Sequence, residues 1–382
     1  MNTVVARSAV LVTHYYPAHG GGVEIVAGEV AARLAASRAF SIEWFASDVD
    51  PAPDVAGIAV RPQPTFNGLE RSFGLPFPLW SPLAFYRIFG AIRRCDAVHV
   101  HDGVYLANFF AALCARAMRK RLVVTQHIGA VPYRSVVLRT LLSIANWIVG
   151  HAVLRHADAT VFVSPVVRAY FERLVGPSPR FSDLANGVDT RMFSPAASSL
   201  DRADRKAALG IPRGTPLLLF VGRHVEKKGL DLVRELASAT PGWRWCLIGE
   251  GPIDPRQWHL ANVSTVGRLP QRALVDWYRA ADVLVLPSVG EGFPLVVQES
   301  LSCGLPVAVH TETRDAGGLA DVICIAESVR EPDSVVRWLE ALRGMLSETE
   351  EMRDDRRTAC RAFACRHWSW DATTGRYAEL FA

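Results

Sequence analysis

The chain has 382 residues, more than one compact core usually holds, which predicts two domains of roughly 150 to 200 residues each. Its 42 lysines and arginines against 38 aspartates and glutamates give a net charge of +4, too small an excess to indicate nucleic acid as a partner. The seven cysteines are scattered, and several lie in apolar runs, as is typical of reduced thiols. The first eight residues lack the apolar core of a signal peptide, so we expect a cytoplasmic protein.

Short apolar runs alternate with longer segments of helical period along both halves of the chain. This alternation predicts parallel β-sheets covered by helices, and the continuously apolar runs predict strands buried on both faces. The predicted strands of the first half are Ser8–Thr13, Phe40–Ser47, Ala97–His101, Arg121–Gln126, Ala159–Ser164 and Phe181–Ala185. Those of the second half are Pro216–Gly222, Arg244–Gly249, Val263–Gly267, Asp282–Pro287, Pro306–Val309 and Val322–Ile325. Each half is predicted to be a doubly wound α/β domain, with the polar, proline-containing segment Phe193–Leu200 as a linker.

Two glutamates flank the predicted start of a helix in the second half. Glu291 lies in the glycine-bearing loop after the strand Asp282–Pro287, and Glu299 lies in the apolar, helix-compatible run that follows. Carboxylates are strong acceptors for sugar hydroxyls, and the free amides of a helix that starts near Leu295 and Val296 can hold a diphosphate. The alternative is a loop glutamate near the helix dipole and a solvated helical glutamate.

A basic loop follows the strand Pro216–Gly222. Arg223 and Lys228 are five residues apart in this loop, which ends at Gly229. Such a pair suits a diphosphate leaving group, whose charge needs neutralising when no divalent metal does so. A solvated basic turn stays the alternative. The turn Gly249–Pro252, after the next strand, is a further place where a nucleotide could lie.

The first half carries polar features at two predicted strand ends. The triple-glycine loop Gly20–Gly22 allows close approach of the backbone to a ligand, but it matches neither the dinucleotide nor the Walker pattern. His127 directly follows the strand Arg121–Gln126, where a site in an open α/β sheet is expected, and His99 and His101 end near the same edge. A flexible loop and structurally satisfied histidines stay the alternatives.

No residue pattern favours a metal site or a cofactor. Asp48 and Asp50 could hold a divalent cation through oxygen ligands, but they lie in a proline-rich loop with no third acidic residue close by. Cys360 and Cys365 form the closest cysteine pair, and no second pair is near. We therefore expect no metal and no cofactor.

Taken together, these segments resemble family 4 of the retaining glycosyltransferases. That family has the GT-B architecture, in which two Rossmann-like doubly wound domains face each other across a cleft. The resemblance runs in order over nearly the whole chain, and the shared order is more specific than any single motif. It rests on Gly21–Glu24, the Val-His-Val-His strand end at 98–101, Asn186–Asp189 with Phe193 and Pro195 beyond, the Gly-Arg to Lys-Gly loop in which Lys228 is the matching lysine, Gly249–Pro252, and Glu291-x7-Glu299.

The resemblance implies a role for each matching residue. Glu291 corresponds to the glutamate that binds hydroxyls of the transferred sugar, and Glu299 to the one that binds the nucleotide ribose. Arg223 and Lys228 correspond to the pair that holds the diphosphate. His127 corresponds to a histidine near the primary hydroxyl of the sugar and the reaction centre. The remaining residues of the implied donor site are Gly21, Gly22, Gly222, Gly249, Glu250, Gly292, Phe293, Pro294, Leu295 and Val296.

One stretch departs from the family pattern. The run from His224 to Lys227 replaces the commoner sequence, so both Lys227 and Lys228 are candidates for the lysine that points inward. The chemistry that the resemblance implies is displacement with retention, in which the leaving phosphate itself deprotonates the acceptor and no protein nucleophile takes part. The implied donor is a UDP- or GDP-hexose, with mannose or glucose preferred, and nucleic acid is not an expected partner.

The end of the chain resembles the final helix of the family, which crosses back to the first domain. The matching segment is Trp368–Tyr377. The resemblance therefore implies an N-terminal acceptor-side domain of residues 1–192 plus 366–382, and a C-terminal domain of residues 193–365 that binds the nucleotide-sugar.

Two segments of the first half combine apolar and basic residues. Phe73–Phe89 is rich in aromatics and proline, and Tyr133–Arg155 has apolar positions at helical spacing with arginines around them. Both could lie on an anionic membrane surface at the cytoplasmic face and receive a polyprenyl-linked acceptor of exopolysaccharide or lipopolysaccharide synthesis, and core packing is the alternative. The weakly charged stretch Thr140–Leu154 has 15 residues, short of the roughly 20 that a spanning helix needs.

Other protein classes fit the sequence less well. An oxidoreductase of the Rossmann type should carry the dinucleotide glycine pattern and a later acidic residue, and neither is present in the right place. A GT-B-type epimerase or phosphorylase, or a non-catalytic protein that binds nucleotide-sugars, would share the architecture.

Overall fold

The structure is a computed structural model, and it describes residues 6–68, 70, 77–131, 135–329 and 331–381, with the backbone alone at Ala372. Residues 73–76 of the aromatic segment and 133–134 of the amphipathic segment lie outside the described residues. The chain divides into two compact units. The first comprises residues 1–130, 134–186 and 371–382, and the second comprises 131–133 and 187–370. The main boundaries therefore fall at 186/187 and 370/371, against the expected 192/193 and 365/366.

The first unit is built on a seven-stranded sheet in which all the paired strands run parallel. The described strands are, in chain order, β1 Arg7–Val12, β2 Phe40–Ser47, β3 Ile58–Gln63, β4 Thr65–Phe66, β5 Leu79–Trp80, β6 Ala97–His101, β7 Arg121–Gln126, β8 Ala159–Phe162 and β9 Phe181–Asp183. The sheet has the order β3-β2-β1-β6-β7-β8-β9, while β4 and β5 pair with each other. The strand order thus reverses between β1 and β6.

Helices connect the strands of the first unit. They are α1 Gly22–Ala36, α2 Pro82–Arg94, α3 Leu106–Ala117, α4 Val136–Ala152 and α5 Pro165–Val175. The sequence marks two of these starts with Ser-Pro, because the serine hydroxyl accepts a hydrogen bond from the first turn and proline has no N–H to leave unpaired. Ser81 accepts from Ala84 N, and Ser164 accepts from Val167 N. One apolar core cluster joins residues of the strands and of α2 to α5.

The second unit has a six-stranded parallel sheet of order β12-β11-β10-β13-β14-β15. Its strands are β10 Leu217–Val221, β11 Arg244–Ile248, β12 Val263–Val266, β13 Val283–Leu286, β14 Val307–His310 and β15 Cys324–Glu327. Its helices are α6 Ser199–Ala208, α7 Leu230–Ser238, α8 Gln271–Ala280, α9 Leu295–Ser302, α10 Thr311–Gly317, α11 Ser334–Leu346 and α12 Glu350–Trp368. Every residue of β10, β13 and β14 is buried, as their continuous apolar runs predict.

All twelve predicted strands are present, and their ends lie within two residues of the predicted ones. The sequence did not predict β3, the edge strand of the first sheet, whose residues are mostly partly or fully exposed. It contains Pro62, which cannot donate to a neighbouring strand and is tolerated at a sheet edge. The strand therefore lacks the apolar signal of the buried strands.

The predicted linker Phe193–Leu200 is packed against the second unit. Phe193 is only 1% exposed. Arg279 donates to both the carbonyl and the hydroxyl of Ser194 at 2.7 Å, and Arg361 donates to the carbonyl of Phe193 at 2.8 Å. The segment therefore lies within the second unit, and its small polar composition gives no sign of the distant arginines that bind its backbone.

The last helix, α13 Trp370–Phe381, completes the first unit. Arg7 donates to the carbonyl of Phe381 at 2.6 Å, and Arg121 donates to that of Leu380 at 2.7 Å. The Tyr377 and Thr125 hydroxyls lie 3.1 Å apart and share a hydrogen bond. Residues from the far end of the chain therefore bind strands β1 and β7.

One helical segment among the described residues, Val136–His156, is long and apolar enough by length and composition to cross a membrane. It has 21 residues, and only 22% of its most apolar stretch is buried. The sequence-based stretch of 15 residues excluded Arg139 and Arg155, whereas the helical segment Val136–His156 includes both arginines.

Replacing Phe381 with alanine should lower the free energy of unfolding by roughly 3–5 kcal/mol, the usual cost of removing a buried phenylalanine ring. The ring is 2% exposed and packs against Phe40 and His99. Chemical denaturation followed by circular dichroism measures the change. Glu379→Ala on the same helix, where the side chain is 64% exposed, is the matched control and should change stability little. Equal effects of the two substitutions would contradict the packing described for α13.

Candidate functional site

The carboxyl ends of β10 and β13 lie side by side, at the point where the strand order of the second sheet reverses. The loop after β10 runs from Gly222 to Gly229, and the loop after β13 runs from Pro287 to Pro294. Open α/β sheets bind ligands in the crevice at such a point. The topology therefore brings together two motif segments that are far apart in sequence.

Backbone contacts hold these two loops against each other. Val289 N donates to the carbonyl of Lys227 at 2.9 Å. Gly229 has a φ of +73°, and any side chain there would overlap the backbone of Pro287. Only glycine meets both demands, so the residue that ends the basic loop also lets the loop pack closely.

Glu291 is held between two lysines. Its Oε1 lies 3.3 Å from Lys227 Nζ and 3.2 Å from Lys228 Nζ, so both candidate lysines reach it. Burial by itself would raise the pKa of Glu291, but the lysine charges hold it at about 2. Burial also lowers the pKa of Lys228, while Glu291 opposes that shift. Arg223 is exposed, and its charge is near enough to contribute to the lowered pKa of Lys228.

Gly222 and Gly249, two glycines of the predicted donor site, lie where the loops after β10 and β11 approach each other closely. A side chain at Gly249 would overlap the carbonyl oxygen of Gly222. The backbone of His224 donates to the carbonyl of Glu250 at 2.8 Å, and the Glu250 side chain is exposed. The loops that follow β10 and β11 therefore pack against each other next to Arg223.

The start of α9 presents part of the predicted donor site. Leu295 and Val296 are its first two residues and are partly exposed, and Pro294 precedes them. Gly292 is buried, and Phe293 is 5% exposed and packs against Trp368 with 5.2 Å between ring centres. Phe293 therefore anchors the loop in the core of the second unit.

Glu299 is buried on α9, with 4% of the residue exposed. Gln271 Nε2 donates to its Oε1 at 2.8 Å, and the Tyr278 hydroxyl donates to its Oε2 at 2.8 Å. Burial raises its pKa, and these two hydrogen bonds lower it again in part. The alternative of a solvated helical glutamate is wrong for this residue, because both of its oxygens face protein donors.

In the first unit, the Gly-Gly-x-Glu segment forms the start of α1. Gly21 precedes the helix, Gly22 is its first residue, and Glu24 is buried in its first turn. Glu24 Oε1 lies 2.8 Å from His14 Nε2, and the His14 ring stacks on Tyr105 with 3.7 Å between ring centres. A side chain at Gly21 would overlap the Glu24 carboxylate, so glycine leaves room for the contact of Glu24 with His14.

His127 lies where the sequence places it, directly after β7, and is 5% exposed. Its Nε2 is 2.9 Å from Nδ1 of His101, the last residue of β6. Asp102 Oδ1 accepts hydrogen bonds from the backbone N–H of His127 at 2.7 Å and of Ile128 at 3.2 Å. Burial lowers the pKa of His127 to about 3 and raises that of Asp102 to about 7.

The sequence predicted a role for His127 but none for Asp102, His14 or Glu24. Asp102 follows a predicted strand directly, as His127 does, and this shared position is the signal that could have found it. His14 holds the equivalent place near the end of β1. Polar residues that follow neighbouring strands of one parallel sheet meet at the same edge.

Asp48 and Asp50, which the sequence offers as possible metal ligands, contact other residues of the protein. Asp48 Oδ1 accepts from Thr65 N at 3.1 Å, and Asp50 Oδ2 lies 2.7 Å from His19 Nδ1. On α12, Cys360 is buried and Cys365 is exposed. Within the part of the chain that the structure describes, no group of three or more histidines, cysteines, aspartates or glutamates could hold a metal ion.

The chain is similar to known protein families over most of its length. The family described as Glycosyl transferases group 1 matches residues 201–362, and Glycosyltransferase Family 4 matches residues 20–192. A D-inositol 3-phosphate glycosyltransferase of Kineococcus radiotolerans is 30% identical over an alignment that covers 99% of this chain and 95% of the relative. The chain belongs to the group 1 glycosyltransferases. The family predicted from the sequence is therefore confirmed.

This glycosyltransferase is also similar to two other proteins. It is 28% identical to a GDP-mannose-dependent monoacylated alpha-(1-6)-phosphatidylinositol monomannoside mannosyltransferase of Corynebacterium glutamicum, over 58% of this chain and 61% of the relative. Among solved structures it resembles Anabaena HepE in complex with UDP-glucose, with a TM-score of 0.76, 15% identity and 98% of each chain covered. The structural likeness confirms the predicted GT-B fold.

As the pH rises from 5 to 8, Asp102 should lower the stability of this glycosyltransferase, whereas the buried neutral histidines His99, His101 and His127 act in the opposite direction. Its folded pKa of about 7 lies above the unfolded value of 3.8, so the folded state retains a proton that the unfolded state releases as the pH rises. The Asp102→Asn variant has no such proton, so over this range its free energy of unfolding should gain on the order of 2 kcal/mol relative to that of the unsubstituted protein. Urea denaturation at pH 5, 6.5 and 8 measures both slopes, and identical slopes would contradict the raised pKa.

Proposed function

We propose that this glycosyltransferase moves a hexose, with mannose or glucose preferred, from UDP- or GDP-hexose to a glycan or polyprenyl-linked acceptor, with retention and without a metal ion. The observation that carries the proposal is that Lys227 and Lys228 both contact Glu291, while the charge of Arg223 lies near enough to act on Lys228. Three cations against one carboxylate leave two positive charges, which balance the two negative charges of a nucleotide-sugar diphosphate. The donors named for HepE and for the mannosyltransferase support a nucleotide-sugar and leave the base open.

In this proposal the second unit binds the donor. Arg223 and Lys228 bind the diphosphate, together with the free amides at Leu295 and Val296. Glu291 accepts hydrogen bonds from the sugar hydroxyls. Its pKa of about 2 keeps it ionised at neutral pH, so it acts as an acceptor and donates no proton.

The proposed ribose ligand, Glu299, is already fixed by Tyr278 and Gln271. Each carboxylate oxygen has two lone pairs, so a ribose hydroxyl can donate to an oxygen that a protein donor also binds. The two protein donors then act to hold the carboxylate in one orientation.

The proposed reaction exchanges one bond at the anomeric carbon for another. The bond from that carbon to the phosphate oxygen breaks, the bond to the acceptor oxygen forms on the same face, and the acceptor proton passes to the leaving phosphate. Negative charge grows on the phosphate as the first bond breaks, and Lys228 and Arg223 stabilise it. We further propose that His127 hydrogen-bonds the primary hydroxyl of the sugar, while the backbone at Gly21 and Gly22 approaches the phosphate or the acceptor.

Glu291→Ala, Arg223→Ala and Lys228→Ala should each reduce donor turnover by roughly 10²- to 10³-fold, the usual cost of removing one group that stabilises transition-state charge. Arg213→Ala is the control, because this arginine belongs to the same unit and its side chain is 76% exposed. Acceptor-dependent release of the nucleotide is measured, with and without EDTA, and NMR of the product reports the anomeric configuration. Full activity of the three variants, complete loss with EDTA, or an inverted product would each overturn the corresponding part of the proposal.

The donor and acceptor need separate assays. Thermal shift with a panel of UDP-, GDP- and ADP-sugars identifies the base, since a ligand that binds the folded state raises its melting temperature. The acceptor panel should contain a polyprenyl-linked sugar, the class that we propose for exopolysaccharide or lipopolysaccharide synthesis. D-inositol 3-phosphate is the second arm, because the Kineococcus relative is named for it. Conversion of the donor into another nucleotide-sugar in the absence of any acceptor would indicate an epimerase instead.

We also propose that the enzyme works at the cytoplasmic face of a membrane, with the outer face of α4 as the contact. The residues at positions 137, 141, 144 and 148 form one stripe along this helix and are between 44% and 69% exposed. The two strands that α4 connects, β7 and β8, are neighbours in one sheet. A helix tied at both ends to the same sheet can lie along a membrane surface but cannot cross it without leaving its unit.

The charge of this region supports an anionic surface as the partner. From Pro82 to His156 the sequence has ten lysines and arginines and two acidic residues, in a chain whose total charge is only +4. One of the two acidic residues, Asp102, is fully buried. Each basic residue near an anionic bilayer contributes about 1 kcal/mol of attraction, and exposed apolar side chains add to it. Exposed Leu83, Tyr86 and Phe89 of α2 extend the apolar and basic character of the region.

The protein should float with vesicles that contain phosphatidylglycerol at low salt, and less with vesicles of phosphatidylcholine alone or at high salt. The double variant Ile144→Glu/Ile148→Glu should lose flotation, because it places two charges on the apolar stripe. Val336→Glu, at a position of the second unit that is 56% exposed, is the matched control. If the unmodified protein stays with the soluble fraction at low salt, the membrane part of the proposal is abandoned.

A further inference from the structure

We infer that His101 is a positioning residue that fixes the tautomer of His127, so that Nδ1 of His127 carries the proton and is free to donate to a ligand. The catalytic meaning of this inference rests on the proposed role of His127 at the sugar hydroxyl. Its structural content, which nitrogen of His127 carries the proton, can be measured without any substrate.

The two imidazoles meet through one nitrogen each. His101 Nδ1 and His127 Nε2 are 2.9 Å apart, and the rings are nearly parallel, at 21°. Burial, as the largest cause, lowers the pKa of both rings, to about 3 for His127. Both rings are therefore neutral at pH 7, and a single proton lies between the two facing nitrogens.

The second nitrogen of His101 decides which ring supplies that proton. His101 is fully buried, and among the described residues its Nε2 has no hydrogen-bond partner. If His127 were the donor, His101 would have to carry its own proton on Nε2, as a buried N–H without an acceptor. Orphaned buried N–H groups are rarer than unfilled acceptors and cost the full desolvation of the donor. The favoured arrangement has His101 Nδ1–H donating to His127 Nε2, which leaves the proton of His127 on Nδ1, an atom that, unlike His101 Nε2, is not fully buried.

The neighbouring residue holds the backbone of His127 in the same place. Asp102 accepts from the backbone N–H groups of His127 and Ile128, and it does so in a left-handed conformation with φ of +57°. Asn108 donates through its side-chain amide to the carbonyls of His101 and Asp102. Left-handed non-glycine residues are strained and persist where the surroundings fix them. His101 thus orients the ring and Asp102 orients the chain that carries it.

A histidine fixed in this way is suited to one task. Neutral Nδ1–H can donate a hydrogen bond to a hydroxyl oxygen of a sugar, whereas a ring with a pKa of about 3 is too weakly basic to take up a proton at neutral pH. The pair therefore supplies a polarising donor of fixed direction.

The direct test is NMR of the protein with 15N-labelled histidine imidazoles, with the His127 signals assigned by comparison with His127→Gln. Long-range 1H–15N spectra distinguish the two neutral tautomers and the imidazolium form. At pH 7 the unsubstituted protein should show His127 protonated on Nδ1 alone. Protonation on Nε2, or a charged ring, would overturn the inference, and this measurement needs no variant of His101.

Two substitutions of His101 then test its part. His101→Asn keeps an N–H near the position of Nδ1 and should retain the His127 tautomer, whereas His101→Leu removes the donor and should allow the Nε2–H form. If the proposed role of His127 holds, His101→Leu should also lose roughly 10- to 100-fold in kcat/KM, with rescue by His101→Asn. An unchanged tautomer in a folded His101→Leu protein would refute the positioning role. Full activity of His127→Gln together with the expected tautomers would instead refute the proposed catalytic role and support the positioning inference.

Discussion

Parallel pairing of the main strands is the constraint on which the rest of this structure depends. Because the strands of each main sheet run in one direction, the polar residues that follow them meet at a single edge. In the second unit this edge joins Glu291 to the lysines of the loop after β10. In the first unit it joins His14 and Glu24 to His101, Asp102 and His127. Neither group is close in sequence, and neither would form if one strand were reversed.

Burial shifts the pKa values of these groups, and their neighbours decide whether each pKa rises or falls. Glu291 and Glu299 are eight residues apart in the printed sequence and both are largely buried. Two lysines hold the pKa of Glu291 at about 2, whereas Glu299 has only neutral donors and its pKa is raised. In the first unit burial keeps the imidazole of His127 neutral, although the charge of Glu24 opposes that shift of its pKa. One fold thus provides an ionised acceptor and a neutral donor at the same pH.

The sequence was sufficient for the fold class, the family and twelve strands, because buried parallel strands carry continuous apolar runs and the motifs occur in a fixed order. It did not predict β3, an exposed edge strand with Pro62 and no such run, nor that Arg279 and Arg361 bind the backbone of the predicted linker Phe193–Leu200. The predicted roles of the donor-site residues stay predictions. The contacts of His101 and Asp102 with His127 were not predicted, although the positions at neighbouring strand ends indicate closeness, because the atoms that meet depend on the register of β6 against β7.

The place of α13 has a consequence for how the protein is made. The first unit begins with β1 but also needs Tyr377, Leu380 and Phe381, which bind β7 and β1. The second unit lies almost entirely within residues 187–370 and leaves the ribosome before those residues do. During synthesis, which proceeds at roughly 5–20 residues per second, the unit that starts first is therefore completed last. Until then, the surface of the first sheet that α13 covers stays open to chaperones and proteases.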